Sequence, residues 1–293
     1  MTAIRVPTDA GVSLAADALG DPNDPAVLLF HGGGQTRHAW GGGVAAMAAR
    51  HWFAVTFDMR GHGESSWSPD GHYDIGTFAH DVGAVSRAYQ HPVLVGASLG
   101  GLSSMVAIGE GAAPNAVGLV LVDVTPRVER KGVDRIRDFM RQGVDGFDSL
   151  DAVADAVASY LPHRKRPTDL SGLTKNVRQR EDGKWVWHWD PKFFAPIDSD
   201  VDETDLGEAS SGRFTPPERL LAAARAVKVP TLLVRGGSSD VVSEAGAREL
   251  QDLIPHAEVV DVAGAGHMVA GDRNDPFNDA VIEFLDRVIR PSR

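Results

Sequence analysis

Six short runs of almost uninterrupted apolar residues punctuate the chain: Val27-Leu28-Leu29-Phe30, Phe53-Ala54-Val55-Thr56-Phe57, Val93-Leu94-Val95, Val117 to Val122, Thr231-Leu232-Leu233-Val234 and Glu258-Val259-Val260. A strand that is apolar at successive positions must bury both of its faces, which is the condition of a strand inside a parallel sheet covered by helices on each side. Between the runs, Ile75, Phe78, Val82, Val85 and Tyr89 fall three or four apart, as do Phe277, Val281, Phe284 and Val288. Each set makes one apolar helix face. Ile4 to Pro7 and Val12 to Leu19 read as antiparallel strands joined by a turn at Asp9-Ala10-Gly11. The expected fold class is α/β, a mostly parallel, doubly wound sheet of about eight strands.

The rhythm stops after Asp123 and resumes at Val229-Pro230-Thr231. A gap of that length is too long for a loop and predicts a mostly helical cap over 125–227, inserted before the penultimate strand, with the core formed by 1–124 and 228–293. Ile136, Phe139 and Met140 mark one cap helix, Leu150, Val153, Val157 and Leu161 a second, and Leu220 onward a third. Thr215-Pro216-Pro217-Glu218 supplies the third with an N-cap, a proline in the first turn and a capping-box glutamate. The acidic stretch from Asp198 to Glu208 reads as a solvated loop. Trp185, Trp187 and Trp189 alternate, so an extended segment would turn all three to one side, either lining a pocket or locking the cap onto the core.

Composition excludes several function classes. The net charge of −11 over 293 residues disfavours nucleic acid and anionic membrane as partners. With no cysteine there is no disulfide, zinc-thiolate site or thiol nucleophile. Met1 to Ala10 lacks a basic leader with an apolar core, and no apolar run approaches the roughly 18 to 20 residues of a membrane span. A soluble, cytoplasmic protein is expected, with no preference between monomer and homo-oligomer.

Gly96-Ala97-Ser98-Leu99-Gly100-Gly101 directly follows the run ending at Val95 and opens a segment with helical spacing at Leu102, Met105 and Val106. G-x-S-x-G between strand and helix makes a sharp turn that exposes the serine hydroxyl at the sheet edge. Here the chain resembles the α/β-hydrolase family, in its serine-nucleophile, esterase- and lactonase-like branch. The resemblance spans nearly the whole chain and implies a cofactor-free, metal-free enzyme with Ser98 as nucleophile. It places the catalytic base at His267, in Gly264-Ala265-Gly266-His267-Met268, beyond the last strand. The acid expected to orient that imidazole is Asp240, after the strand Thr231 to Val234; Asp123, which ends an earlier strand, is the alternative and is otherwise expected to fix a loop or a cap hinge. His31-Gly32-Gly33-Gly34 resembles the family's oxyanion loop, so the amides of Gly33 and Leu99 are the expected donors, with Gly34 open in place of Gly33. His31, Gly34 and Trp187 are further candidates to touch substrate. Asp58-Met59-Arg60-Gly61-His62-Gly63-Glu64-Ser65 matches another family segment, expected to brace the loop beneath the site and not to act on substrate.

These residues imply hydrolysis of a small carboxylic ester or lactone through an acyl-enzyme. Carbon–carbon, thioester or amide hydrolysis and perhydrolysis are open to the same triad. Relatives that open epoxides or haloalkanes carry aspartate where this chain has Ser98. A ligand-binding receptor on a hydrolase scaffold is the alternative from another class.

Overall fold

Two hydrophobic cores, one on each face of a single sheet, account for the uninterrupted apolar runs. The structure is a computed structural model and describes residues 1–8, 11–194, 216–272 and 274–289. Its strands are β1 (Thr2–Pro7), β2 (Ser13–Leu19), β3 (Ala26–Phe30), β4 (Phe53–Phe57), β5 (Val93–Ala97), β6 (Gly118–Val122), β7 (Val177–Gln179), β8 (Trp185–Trp187), β9 (Thr231–Gly236) and β10 (Ala257–Val262). Along β3, Val27 and Leu29 enter one core and Leu28 and Phe30 the other; along β6, Val120 and Val122 part in the same way from Leu119 and Leu121. All eight of these side chains are at most 2% exposed, so each strand stabilises both layers.

Eight strands form one sheet in the order β1-β2-β4-β3-β5-β6-β9-β10, matching the expected count. β2 runs antiparallel to both of its neighbours, and the rest of the sheet is parallel. From β3 the chain goes outward to β4 on one side and later returns to β5 on the other. The carboxyl ends of β3 and β5 therefore flank a topological switch point, where open α/β sheets leave a crevice.

The helices are α1 (Gly43–Ala48), α2 (Ile75–Ser86), α3 (Leu99–Gly109), α4 (Arg130–Arg141), α5 (Leu150–Tyr160), α6 (Pro217–Ala226), α7 (Glu244–Leu253), α8 (Val269–Asp272) and α9 (Asn274–Phe284), the last continued by a π-helical turn. Asp74, Ser149 and Ser243 cap α2, α5 and α7, each side chain accepting a backbone N–H of the first turn. No described helix is long and apolar enough to cross a membrane.

The segment between β6 and α6 departs from expectation in two ways. Besides α4 and α5 it contains the antiparallel β7–β8 hairpin, with Val177 opposite Trp187. The helix expected as a third cap helix, α6, instead packs against α3: a Cβ on Gly109 would lie 2.2 Å from the Ala223 carbonyl oxygen, and Leu220, Ala223 and Ala224 join the core on that face. Its amphipathic face was legible, but not which surface it would meet. α6 begins at Pro217 with Pro216 at its N-cap, one residue later than expected; Thr215, the stretch from Asp198 to Glu208, and Asp9 and Ala10 of the first turn lie outside the described residues.

Candidate active site

β5 delivers Ser98 at the switch point. Ser98 has φ 46° and ψ −115°, a left-handed conformation that costs a non-glycine residue about 1–3 kcal/mol. The neighbouring glycines permit it. A Cβ on Gly96 would lie 2.3 Å from the Gly100 carbonyl oxygen, and one on Gly100 2.2 Å from that of Phe30. Strand, turn and helix thus close to contact through bare backbone, and α3 begins at Leu99 immediately after the serine.

His267 lies in the loop between β10 and α8, and its Nδ1 is 2.8 Å from Oδ2 of Asp123. The imidazole is 8% exposed and the carboxylate fully buried. Because the carboxylate oxygen accepts, Nδ1 carries the proton and Nε2 is left as the basic nitrogen. Two more donors reach Asp123: the Gly236 N–H at 2.8 Å on Oδ1 and the Ser239 hydroxyl at 2.5 Å on Oδ2. Together the three supply the partners that a buried negative charge requires.

Asp240, the expected partner of His267, does not meet it: the carboxylate bonded to the imidazole is that of Asp123, the alternative. Asp240 faces outward and is held by Arg135 of α4, with Nε 2.7 Å from Oδ2 and Nη2 2.9 Å from Oδ1. The cause is the tight turn after β9. Ser239 accepts the N–H groups of Val241 and Val242 at 3.1 Å while donating inward to Asp123, and its neighbour Asp240 is left on the outer side. Ser239 is the supporting residue that sequence reasoning missed; a serine in a Gly-Gly-Ser-Ser linker carries no signal of that role.

The loop after β3 supplies amides. Gly32 N–H donates to Gln35 Oε1 at 2.9 Å and Gly34 N–H to His62 Nε2 at 3.1 Å, whereas Gly33 N–H has no protein acceptor among the described residues. Of the two amides left open by sequence, Gly34's is engaged. Leu99 opens α3, so its N–H has no acceptor within the helix and stands at the positive end of the helix dipole.

Ser98, His267, Gly33 and Leu99 all line one cavity of about 380 Å³. From the insertion, Ile136, Phe139, Met140, Tyr160, Leu161 and Trp187 complete its wall. Besides His267, the ionisable side chains that line it are Arg137 and Arg164; no Asp or Glu is among the described residues that line it. Trp187 serves both expected purposes: it lines the cavity and stacks on Trp189, centroids 5.1 Å apart, which in turn lies 6.5 Å from the His62 ring of the core. Gly34 also lines the cavity. His31, expected near substrate, does not: it is fully buried, with Nδ1 2.7 Å from Gly32 O and Nε2 accepting Met59 N–H at 3.0 Å. The strand-end position that exposes the glycines turns the histidine under the loop.

The Asp58 to Ser65 segment braces the site from below. Asp58 accepts Arg37 N–H at 2.6 Å and Glu64 N–H at 2.9 Å, and Arg60 forms a buried bidentate pair with Asp81 at 2.5 and 2.7 Å. Burial pushes His31 and His62 down; His62, with His31 beside it, reaches about 3, so both rings are neutral at pH 7.

Comparison with known proteins agrees with this architecture. Residues 25–273 match the family model for the alpha/beta hydrolase fold. The chain is 30% identical to esterase Rv0045c of Mycobacterium tuberculosis over 89% of this chain and 83% of that one. It is 28% identical to 2-(acetamidomethylene)succinate hydrolase of Mesorhizobium japonicum over 89% and 88%. The crystal structure of E-2-(acetamidomethylene)succinate hydrolase superposes with a TM-score of 0.79, covering 97% of this chain and 99% of that one at 26% identity. The chain belongs to the α/β-hydrolase fold family.

Proposed function

We propose that this protein is a serine hydrolase that cleaves a small carboxylic ester or lactone through an acyl-enzyme on Ser98, with His267 as general base and acid, Asp123 as its orienting carboxylate, and the Gly33 and Leu99 amides as oxyanion donors. The observation that carries the reading is the 2.8 Å bond from His267 to buried Asp123 in a loop that shares its cavity with Ser98. The similarity to an esterase and to other hydrolases supports the ester-acting class.

In the forward half-reaction, Ser98 Oγ attacks the carbonyl carbon as His267 Nε2 takes its proton, and the carbonyl oxygen becomes an oxyanion at the two amides. Collapse breaks the bond to the alkoxy oxygen, which leaves with the proton from His267. Water then attacks the acyl-enzyme by the same path in reverse, releasing the acid and the free serine. Asp123 holds Nδ1–H throughout, so that Nε2 is the nitrogen that takes and returns the proton, and stabilises the imidazolium formed in between. The largely apolar wall favours apolar acyl and alcohol groups; Arg137 and Arg164 leave an anionic group admissible, whereas the lack of a carboxylate among the described lining residues gives a cationic substrate no partner. The insertion over 125–194 would then serve as the lid that shapes the pocket.

The test is repeated turnover of short-chain nitrophenyl esters by the purified protein and by Ser98→Ala. The variant is expected to stay folded and lose on the order of 10⁴-fold or more in kcat. Turnover retained by the variant would remove Ser98 from the reaction, and binding without turnover by the wild type would favour a receptor.

A further inference from the structure

His31 and His62 transfer no proton in the cycle above, yet their hydrogen bonds end on the peptide groups that flank Gly33. His31 Nδ1 is 2.7 Å from Gly32 O, and its Nε2 is 3.0 Å from Met59 N. His62 Nδ1 is 3.0 Å from Arg60 O, and its Nε2 is 3.1 Å from Gly34 N. A carbonyl only accepts and a backbone amide only donates, so both rings are neutral Nδ1–H tautomers by necessity of their partners. The rings are fully buried, with centroids 5.1 Å apart.

The geometry has a consequence for the amide between them. The Gly32 carbonyl and the Gly33 N–H belong to one planar trans unit and point in opposite directions. A donor seated on Gly32 O therefore aims Gly33 N–H away from His31. The next peptide unit is held through its own N–H by His62, so both planes at the Gly33 Cα are fixed from beneath. Consecutive glycines have little conformational preference of their own, and an oxyanion hole stabilises charge only when its donors are aimed before the reaction. Within the loop Gln35 N–H donates to Gly32 O at 3.1 Å, whereas the Gly34 side of Gly33 is held from outside the loop, by His62.

We infer that His62, acting with His31, is a positioning residue for the oxyanion hole: as a neutral acceptor for Gly34 N–H it locks the loop so that Gly33 N–H is presented to the developing oxyanion. This rests on the reading of Gly33 as an oxyanion donor. Burial and the neighbouring His31 hold His62 well below the usual imidazole range, opposed by the Arg60 carbonyl and Asp58 and reinforced by His188, which suits a ring that must remain an acceptor.

The experiment compares His62→Phe, which fills the space without an acceptor, with His62→Gln, whose amide oxygen can accept from Gly34. Against a nitrophenyl ester, the Phe variant should lose on the order of 10²-fold in kcat with KM changed less than about threefold, and affinity for a trifluoromethyl ketone that mimics the tetrahedral intermediate should fall in parallel. Gln should restore at least about tenfold of the loss. A folded Phe variant with wild-type kcat, a loss confined to KM, or no rescue by Gln would overturn the inference. Should the Phe variant not fold, ¹⁵N-histidine NMR of the wild type decides: His62 should show a pyrrole-type Nδ1 and a pyridine-type Nε2 from roughly pH 8 to pH 5. An Nε2–H tautomer, or titration within that range, would overturn it. Failure of the functional reading has a different signature, no reaction of wild-type Ser98 with a fluorophosphonate.

Discussion

At the scale of single residues, the account turns on which aspartate holds His267. Both candidates follow adjacent strands of the sheet and both fall between Ser98 and His267 in the chain, so order and spacing cannot separate them. What separates them is the direction of two side chains in the turn after β9. Ser239 points inward to Asp123 and Asp240 outward to Arg135, a difference of one position in a loop without periodicity. Asp123→Asn should therefore lower kcat by on the order of 10⁴-fold on nitrophenyl esters, because an amide in that place favours the wrong imidazole tautomer. Asp240→Asn, which weakens only a half-exposed ion pair, should change unfolding free energy by about 1 kcal/mol or less and leave kcat within a few-fold. Parallel steady-state assays and urea titrations check both; a crippled Asp240 variant beside an active Asp123 variant would reverse the assignment.

At the scale of elements, the parts legible in the sequence are those whose environment is symmetrical. β3, β5 and β6 announce themselves because both faces are buried, and the elbow because Gly96 and Gly100 leave no room for a side chain. Of the β7–β8 hairpin only the second strand left a trace, the alternation of Trp185, Trp187 and Trp189; its partner, Val177-Arg178-Gln179, is three residues long and carries no pattern. The docking of α6 was illegible for a different reason, since an apolar stripe states that a helix is buried but not against what. The elbow makes a sharp prediction. Gly100→Ala would drive a Cβ to 2.2 Å from the Phe30 carbonyl oxygen, rigid backbone of a central strand, and should destabilise the fold by about 3 kcal/mol or more. Gly42→Ala, at φ −71° with open space around it, should stay within about 1 kcal/mol of the parent. Urea midpoints compare the two, and equal effects would contradict the packing argument.

At the scale of the whole molecule, the paired histidines under the site link function to acid stability. An unfolded imidazole titrates near pH 6.5, whereas His62 in the folded protein titrates at about 3. Below pH 6.5 the unfolded chain binds a proton that the folded one refuses, so stability is complete above that pH and is lost as pH falls. From His62 alone the loss by pH 5 is about 2 kcal/mol, and His31 acts in the same direction. The urea midpoint should fall between pH 8 and pH 5; a midpoint that holds or rises would mean that these rings are not buried and neutral.

The fold's larger task is to bring the ends of β5, β6 and β10 to one rim, so that groups distant in sequence act on one substrate atom. Intact-protein and peptide mass spectrometry after treatment with a fluorophosphonate tests that convergence most directly. One adduct per chain is predicted, on the peptide carrying Ser98, greatly slowed in His267→Ala. An adduct at another residue, or labelling of Ser98 at the same rate without the imidazole, would contradict the account.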